Sequence, residues 1–158
     1  MPPSPPPDVL SDGSPLVDGS ATKEVSASAW LERARTLCPA DQLAPLQLAW
    51  LGDAVWELHQ RLRRCRQPGR VQELHDAVVN DVRAAAQAVA LERLEPHLEE
   101  QEREWVRRGR NRAGQGPRRG EAGVYGRATG FETMVGWLFL QNPNRLAQLL
   151  DRLDETDP

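Results

Sequence analysis

Only two cysteines, Cys38 and Cys65, occur in the 158 residues, and they form no CxxC or other ligand spacing. Neither a disulfide framework nor a zinc site is expected, and two lone thiols suit a reducing compartment. Lysine is scarcer still: Lys23 is the single lysine among 20 basic residues, and the rest are arginine. Aromatics make up 5% of the chain, and 5 of them are tryptophan. The longest apolar run, MVGWLFL at 134–140, falls far short of the roughly 20 residues that cross a bilayer. The start, MPPSPPPDVLSDGS, has no basic segment followed by an apolar one, so no secretory signal is expected. These absences predict a cytoplasmic chain without membrane contact. No segment alternates apolar and polar residues as a half-buried strand does, and no repeat is visible. The expected class is all-α.

Net charge is −3, which argues against a generally basic nucleic-acid binder. The charge is unevenly spread. Asp8, Asp12, Asp18 and Glu24 outweigh Lys23 in residues 1–26, and Asp151, Asp154, Glu155 and Asp157 outweigh Arg152 at the other end. Each end is thus at −3, which leaves the body, 27–150, at +3. Residues 1–25, rich in Pro, Ser, Gly and Asp, are expected to be a disordered tail, with 26–158 as one domain. Helices are predicted from Ser28 to Leu37, stopped by Pro39, and from Pro45 to about Arg66, stopped by QPGR. A third runs from 71 to about 95, interrupted near Asn80 and ending before Pro96. A fourth, EEQEREWVRRGRN, carries acids early and arginines late, as the helix dipole favours. The Gly- and Arg-rich stretch 112–126 reads as a loop, followed by helices over about 127–141 and from Pro143 onward. The whole is a helical bundle.

In LQLAWLGDAVWELHQ, the residues Leu46, Ala49, Trp50, Asp53, Glu57 and Gln60 share a face by i, i+3/i+4 spacing. An unpaired aspartate within an apolar stripe costs on the order of several kcal/mol. Gly52 beside it costs about 1 kcal/mol of helix propensity and lets a backbone or ligand come close. The stretch RATGFETMVGWLFLQ repeats the theme, with Ala128, Glu132, Val135, Gly136 and Phe139 on one face. Either acid alone pairs as readily with an arginine. Two facing carboxylates repel unless a cation lies between them, and Mg²⁺ takes a few carboxylates plus waters and phosphate oxygens. Asp53 and Glu132 are therefore the expected metal ligands, with Mg²⁺ as cofactor. The stripe carrying Trp50 and the neighbouring Trp56 is more apolar than one helix layer covers, which predicts a subunit interface.

The third feature is REWVRRGRNRAGQGPRRG, with no acid between Arg107 and Arg119. Arg107, Arg108, Arg110, Asn111, Arg112, Arg118 and Arg119 are expected to contact nucleic-acid phosphates. Trp105 is expected to pack its helix against the core. His59, His75 and His97 lie on different segments without ligand spacing, so they are expected to be surface or core residues. GRNRAG lacks the Lys-Ser/Thr of a phosphate-binding P-loop.

In order, LAWLGDAVWEL, VRRGRNRAG and YGRATGFETMVGWLFL resemble three blocks of the Mini-III ribonucleases, short bacterial relatives of ribonuclease III consisting of the catalytic domain alone. The resemblance runs from about residue 43 to 153. It implies an all-α endonuclease domain that acts as a homodimer on double-stranded RNA with Mg²⁺. By it, Asp53 corresponds to the catalytic aspartate of the GDA motif and Glu132 to the metal-binding glutamate of the later helix. It further implies trimming of the ends of the 23S ribosomal RNA precursor, with a ribosomal protein as a candidate partner. Larger relatives carry two more acids where this chain has Ala49 and Thr129, which leaves the number of metal ions open. The competing reading is a non-catalytic RNA-binding or ribosome-assembly module that keeps the fold. The presence of both acids speaks against it.

Overall fold

A computed structural model describes residues 27–114, 116 and 120–156. The expected tail, 1–25, and two of the expected RNA-binding residues, Arg118 and Arg119, lie outside the described residues. The α-helices are α1 (Ala27–Leu37), α2 (Pro45–Arg64), α3 (Val71–Asp81), α4 (Ala84–Leu94), α5 (Glu100–Arg112), α6 (Ala122–Gln141) and α7 (Pro143–Glu155). Short 3₁₀ turns occupy Ala40–Gln42 and Glu95–His97. No strand occurs among the described residues, and none of their helices is long and apolar enough to cross a membrane. The all-α expectation holds.

Several helices begin by the same local device. The side chains of Gln47, Glu73 and Glu102 fold back to accept from the N–H groups of Ala44, Arg70 and Glu99, so a donor that the helix leaves unpaired is satisfied. The break expected near Asn80 falls slightly later, between Val82 and Arg83, where the backbone turns extended before α4 starts. That break presents Asp81 to α2. Its carbonyl accepts from the Trp56 indole at 3.2 Å, and its carboxylate takes Arg64 at 2.6 Å.

The stretch AGVYG, expected as loop, is instead the first turn and more of α6. Only Gly126 of the two glycines faces α5, where a methyl group would sit 4.0 Å from the Arg110 carbonyl, while one on Gly123 would meet nothing within 4 Å. Composition alone reads such residues as loop-forming, while a neighbouring helix at close range overrides that preference.

Helix α6 is the centre of the bundle, packed against α2, α4, α5 and α7. Phe131, Thr133 and Met134 on it are wholly buried. An apolar residue faces outward on nearly every side, as a helix surrounded by protein requires. Phe131 meets Trp56 edge-on at 5.0 Å, and Trp137 stacks on Trp105 at 5.9 Å. Trp105 thus packs into the core as expected, with Arg108 lying over its outer face. Helix α7 is anchored by Arg145, which forks the buried Glu102 carboxylate at 2.7 and 3.1 Å.

Trp56 corrects an expectation. It is buried in the core, whereas Trp50 is 82% exposed. At 100° per residue, six positions along a helix separate the two side chains by about 120°, so they cannot share a stripe.

Candidate active site

Asp53 and Glu132 come together because two glycines let α2 and α6 touch through their backbones. A methyl group built on Gly52 would lie 1.8 Å from the Glu132 carbonyl oxygen. One on Gly136 would lie 2.0 Å from the Leu48 carbonyl oxygen. These are backbone atoms within rigid helices, so a side chain at either glycine would force the helices apart. Gly52 precedes Asp53, and Gly136 follows Glu132 by one turn, so the close approach brings both carboxyl groups within hydrogen-bonding reach of each other. The glycine that sequence reading associated with each acid sets their separation.

The face shared by Leu46, Ala49, Trp50, Asp53, Glu57 and Gln60 is an arc that crosses from core to solvent. Ala49 and Gln60 are buried, Asp53 and Glu57 are half-buried, and Leu46 and Trp50 are exposed. Asp53 therefore stands at the rim of the packed face rather than inside it. Glu57 pairs with Arg61 at 2.5 Å, one turn further along.

Burial is the main reason that Glu132 is held up to about 7, from an ordinary 4.5. The neighbouring Asp53 raises it further, by charge repulsion and by a hydrogen bond to the protonated form. A hydrogen bond from Gln87 pulls the other way. The same carboxamide reaches Asp53 Oδ1 at 3.5 Å, the outer limit of a hydrogen bond. Gln87 was not foreseen from the sequence. The available signal was a lone amide in RAAAQAVALERL, spaced i, i+3, i+4 and i+7 from Ala90, Leu91 and Leu94, which are buried.

Two facing carboxyl groups, one kept protonated mainly by burial and further by the other, form a donor set that a hard cation relieves, so the residues present fit Mg²⁺. The set is small. Among the described residues no group of three or more His, Cys, Asp or Glu is arranged to hold a metal. Where larger relatives would have acids, Ala49 is buried and the Thr129 hydroxyl donates to the Tyr125 carbonyl at 3.0 Å.

The basic end of α5 lies nearby along α6. The Arg110 side chain and the Val106 carbonyl press against Gly130, half a turn before Glu132. Arg110, Asn111 and Arg112 are exposed, and among the described residues no carboxylate pairs with either arginine. Arg107 and Arg108 differ. Both bind Glu104, at 2.6 and 2.9 Å, because the helix brings back an acid three and four residues earlier that linear reading placed outside the basic stretch. That pairing holds the Glu104 carboxyl below its ordinary range, Arg108 contributing most. Of the histidines, His59 meets Asp154 at 3.2 Å and stacks on Trp56, while His75 and His97 are exposed. Cys38 and Cys65 are free thiols.

Comparison with known proteins accounts for this arrangement. The Ribonuclease III domain model matches residues 46–143, which include both acids and the basic end of α5. A Mini-ribonuclease 3 from Synechococcus sp. is 49% identical over 125 residues, covering 78% of this chain and 91% of that protein. A second, from Gloeobacter violaceus, is 50% identical over 108 residues, covering 68% and 80%. A crystal structure of a protein from Fusobacterium nucleatum has the same fold, with a TM-score of 0.65 at 24% identity, over 72% of this chain and 93% of that one. The chain belongs to the ribonuclease III family, alongside the Mini-ribonuclease 3 proteins, and is an endoribonuclease.

Proposed function

We propose that this endoribonuclease cuts double-stranded RNA at a centre formed by Asp53 and Glu132, with Mg²⁺ as its cofactor. The observation that carries the reading is the acid pair itself. Two carboxyl groups are brought into mutual hydrogen-bonding reach by a glycine-lined helix contact, at the rim of the core where a substrate can reach them.

Asp53 and Glu132 would hold the cation through their carboxylate oxygens, Glu132 releasing its proton as the cation takes its place. When bound there, Mg²⁺ supplies Lewis-acid stabilisation of the charge that develops on the phosphodiester oxygens. Arg110, Asn111 and Arg112 are exposed at the end of α5, beside the stretch packed on Gly130, and would grip the RNA backbone. Duplex RNA is recognised through its shape, its phosphates and its 2′-hydroxyls, which suits an arginine surface without base-reading geometry. Water attack on the backbone phosphate leaves 5′-phosphate and 3′-hydroxyl ends. Arg107 and Arg108, each bound to Glu104, contribute less, and Arg118 and Arg119 extend the same basic stretch.

The active unit is a homodimer. Leu46, Trp50, Ala54, Leu58 and Leu62 follow one another at four-residue steps along α2 and are all exposed, with Trp50 only three residues from Asp53. Two copies joined through this stripe carry two acid pairs, one for each RNA strand. The substrate we assign is the 23S ribosomal RNA precursor, processed at both ends in the cytoplasm, with a ribosomal protein presenting it. The test is incubation of the protein with duplex RNA in Mg²⁺, with EDTA and duplex DNA as controls. Cleavage in Mg²⁺ that Asp53→Asn and Glu132→Gln both abolish, while still binding duplex, supports the reading. Normal cleavage by either variant removes that residue from the centre, and binding without any cleavage by the wild type favours a non-catalytic RNA-binding role.

A further inference from the structure

We propose that Gln87 is a positioning residue for the acid pair: its carboxamide holds the Asp53 and Glu132 side chains together in the geometry that receives the cation. The inference rests on the two-carboxylate reading above. Gln87 is the fourth residue of α4 and is 2% exposed, among Ala88, Ala90, Leu91 and Leu94. A buried amide without partners is costly, whereas leucine or methionine would fill the same space without that cost. The partners of this amide lie on two other helices. Its Nε2 reaches Asp53 Oδ1 on α2 at 3.5 Å, and the same carboxamide favours the ionised form of the Glu132 carboxyl on α6.

One NH₂ group has two hydrogens, enough for one bond to each acid. The other fully buried glutamine, Gln60, accepts from Arg63 at 3.1 Å, so amide burial in this core does not by itself imply the acid pair. A neutral donor suits the place. A third carboxylate would add repulsion in the metal-free protein, and a cationic side chain would compete with the metal. The amide does neither, and it orders both carboxylates before the cation arrives, which removes rotamer entropy that binding would otherwise have to overcome.

The test compares Gln87→Met, similar in volume but without a donor, with the wild type in two measurements. Calorimetric titration with Mn²⁺ in the absence of RNA should show affinity reduced about tenfold or more. Steady-state cleavage at saturating Mg²⁺ should show a lower kcat with KM for the duplex unchanged. Mn²⁺ affinity within twofold of the wild type, together with unchanged kcat, overturns the proposal. Gln87→Glu keeps the side-chain shape and covers the case in which the methionine variant fails to fold. At pH 8 without metal it should melt below the wild type and gain more from Mn²⁺ than the wild type does, and equal behaviour in both respects overturns the proposal. Asp53→Asn separates the two readings. If it binds Mn²⁺ as tightly as the wild type, the acid-pair reading has failed; if it loses Mn²⁺ while Gln87→Met keeps it, only the role of Gln87 has failed.

Discussion

Replacing Glu132 by glutamine should stabilise the metal-free protein, and should do so only where the wild-type carboxyl is forced to ionise. In the fold Glu132 keeps its proton to about pH 7, while its ordinary value is 4.5. Between those values the folded state binds more protons than the unfolded one. Stability from this group is therefore complete below about 4.5 and is lost as pH rises through 7. At about 1.4 kcal/mol per unit, the gap amounts to roughly 3 kcal/mol by pH 8.5. For a domain of this size that is a shift in Tm on the order of 10 °C. The assay is thermal melting in EDTA at pH 4 and pH 8.5. Glu132→Gln should match the wild type at the lower pH and exceed it at the higher. Adding Mg²⁺ at pH 8.5 should raise the wild type and leave the variant unmoved. Asp53→Asn should retain most of the pH slope, because burial contributes more to the shift than Asp53 does. A gap between Glu132→Gln and the wild type that stays constant across this pH range would refute the account, since it would mean that the carboxyl is well solvated.

Gly52→Ala should cost several kcal/mol, on the order of a severe overpacking mutation, because the added carbon meets backbone; Gly123→Ala, with nothing within 4 Å, is the control and should be neutral or mildly stabilising by chemical denaturation. Arg110→Gln with Arg112→Gln should weaken duplex binding and flatten its log–log salt dependence by roughly 1 to 2. The Arg107→Gln, Arg108→Gln pair should change that slope less, because the shared Glu104 already offsets one of their two charges; equal slopes for the two pairs would contradict the assignment. Trp50→Glu should leave circular dichroism intact and shift the light-scattering mass to near the 17.7 kDa of one chain. A truncated hot-spot residue costs about 2 kcal/mol per copy, and a two-fold interface doubles it, so Trp50→Ala should raise the dimer Kd by about a thousandfold.

The sequence makes the helices legible where periodicity and punctuation agree. Pro45, Pro143 and the QPGR break mark true ends, and the acid pair shows as an acid on each of two largely apolar faces. It misleads where meaning depends on what lies opposite. AGVYG reads as loop from its glycines, yet it is the start of α6, with Gly126 turned toward α5. Arg107 and Arg108 read as free cations until the helix returns them to Glu104. Trp50 and Trp56 are near neighbours in the chain but face solvent and core respectively. Gln87 is the harder case, because its partners are 34 and 45 positions away in opposite directions along the chain. A lone amide in an alanine run announces that something polar is buried, without saying with what.

The division between legible and hidden follows from where the energy of the site resides. The chemistry depends on which residues are present, so Asp53 and Glu132 stand out by type and face. Their working separation depends on a helix crossing, and that is set by Gly52 and Gly136 through the absence of side chains. An absence leaves little trace in hydrophobic patterning, since glycine scores neither as core nor as surface. Yet it is the stronger constraint: a carboxylate has rotamers with which to adjust, whereas helical backbones separated by less than the width of a methyl group have none. Loss of a carboxylate should therefore abolish cleavage while sparing the fold, and gain of a methyl at Gly52 should damage both together.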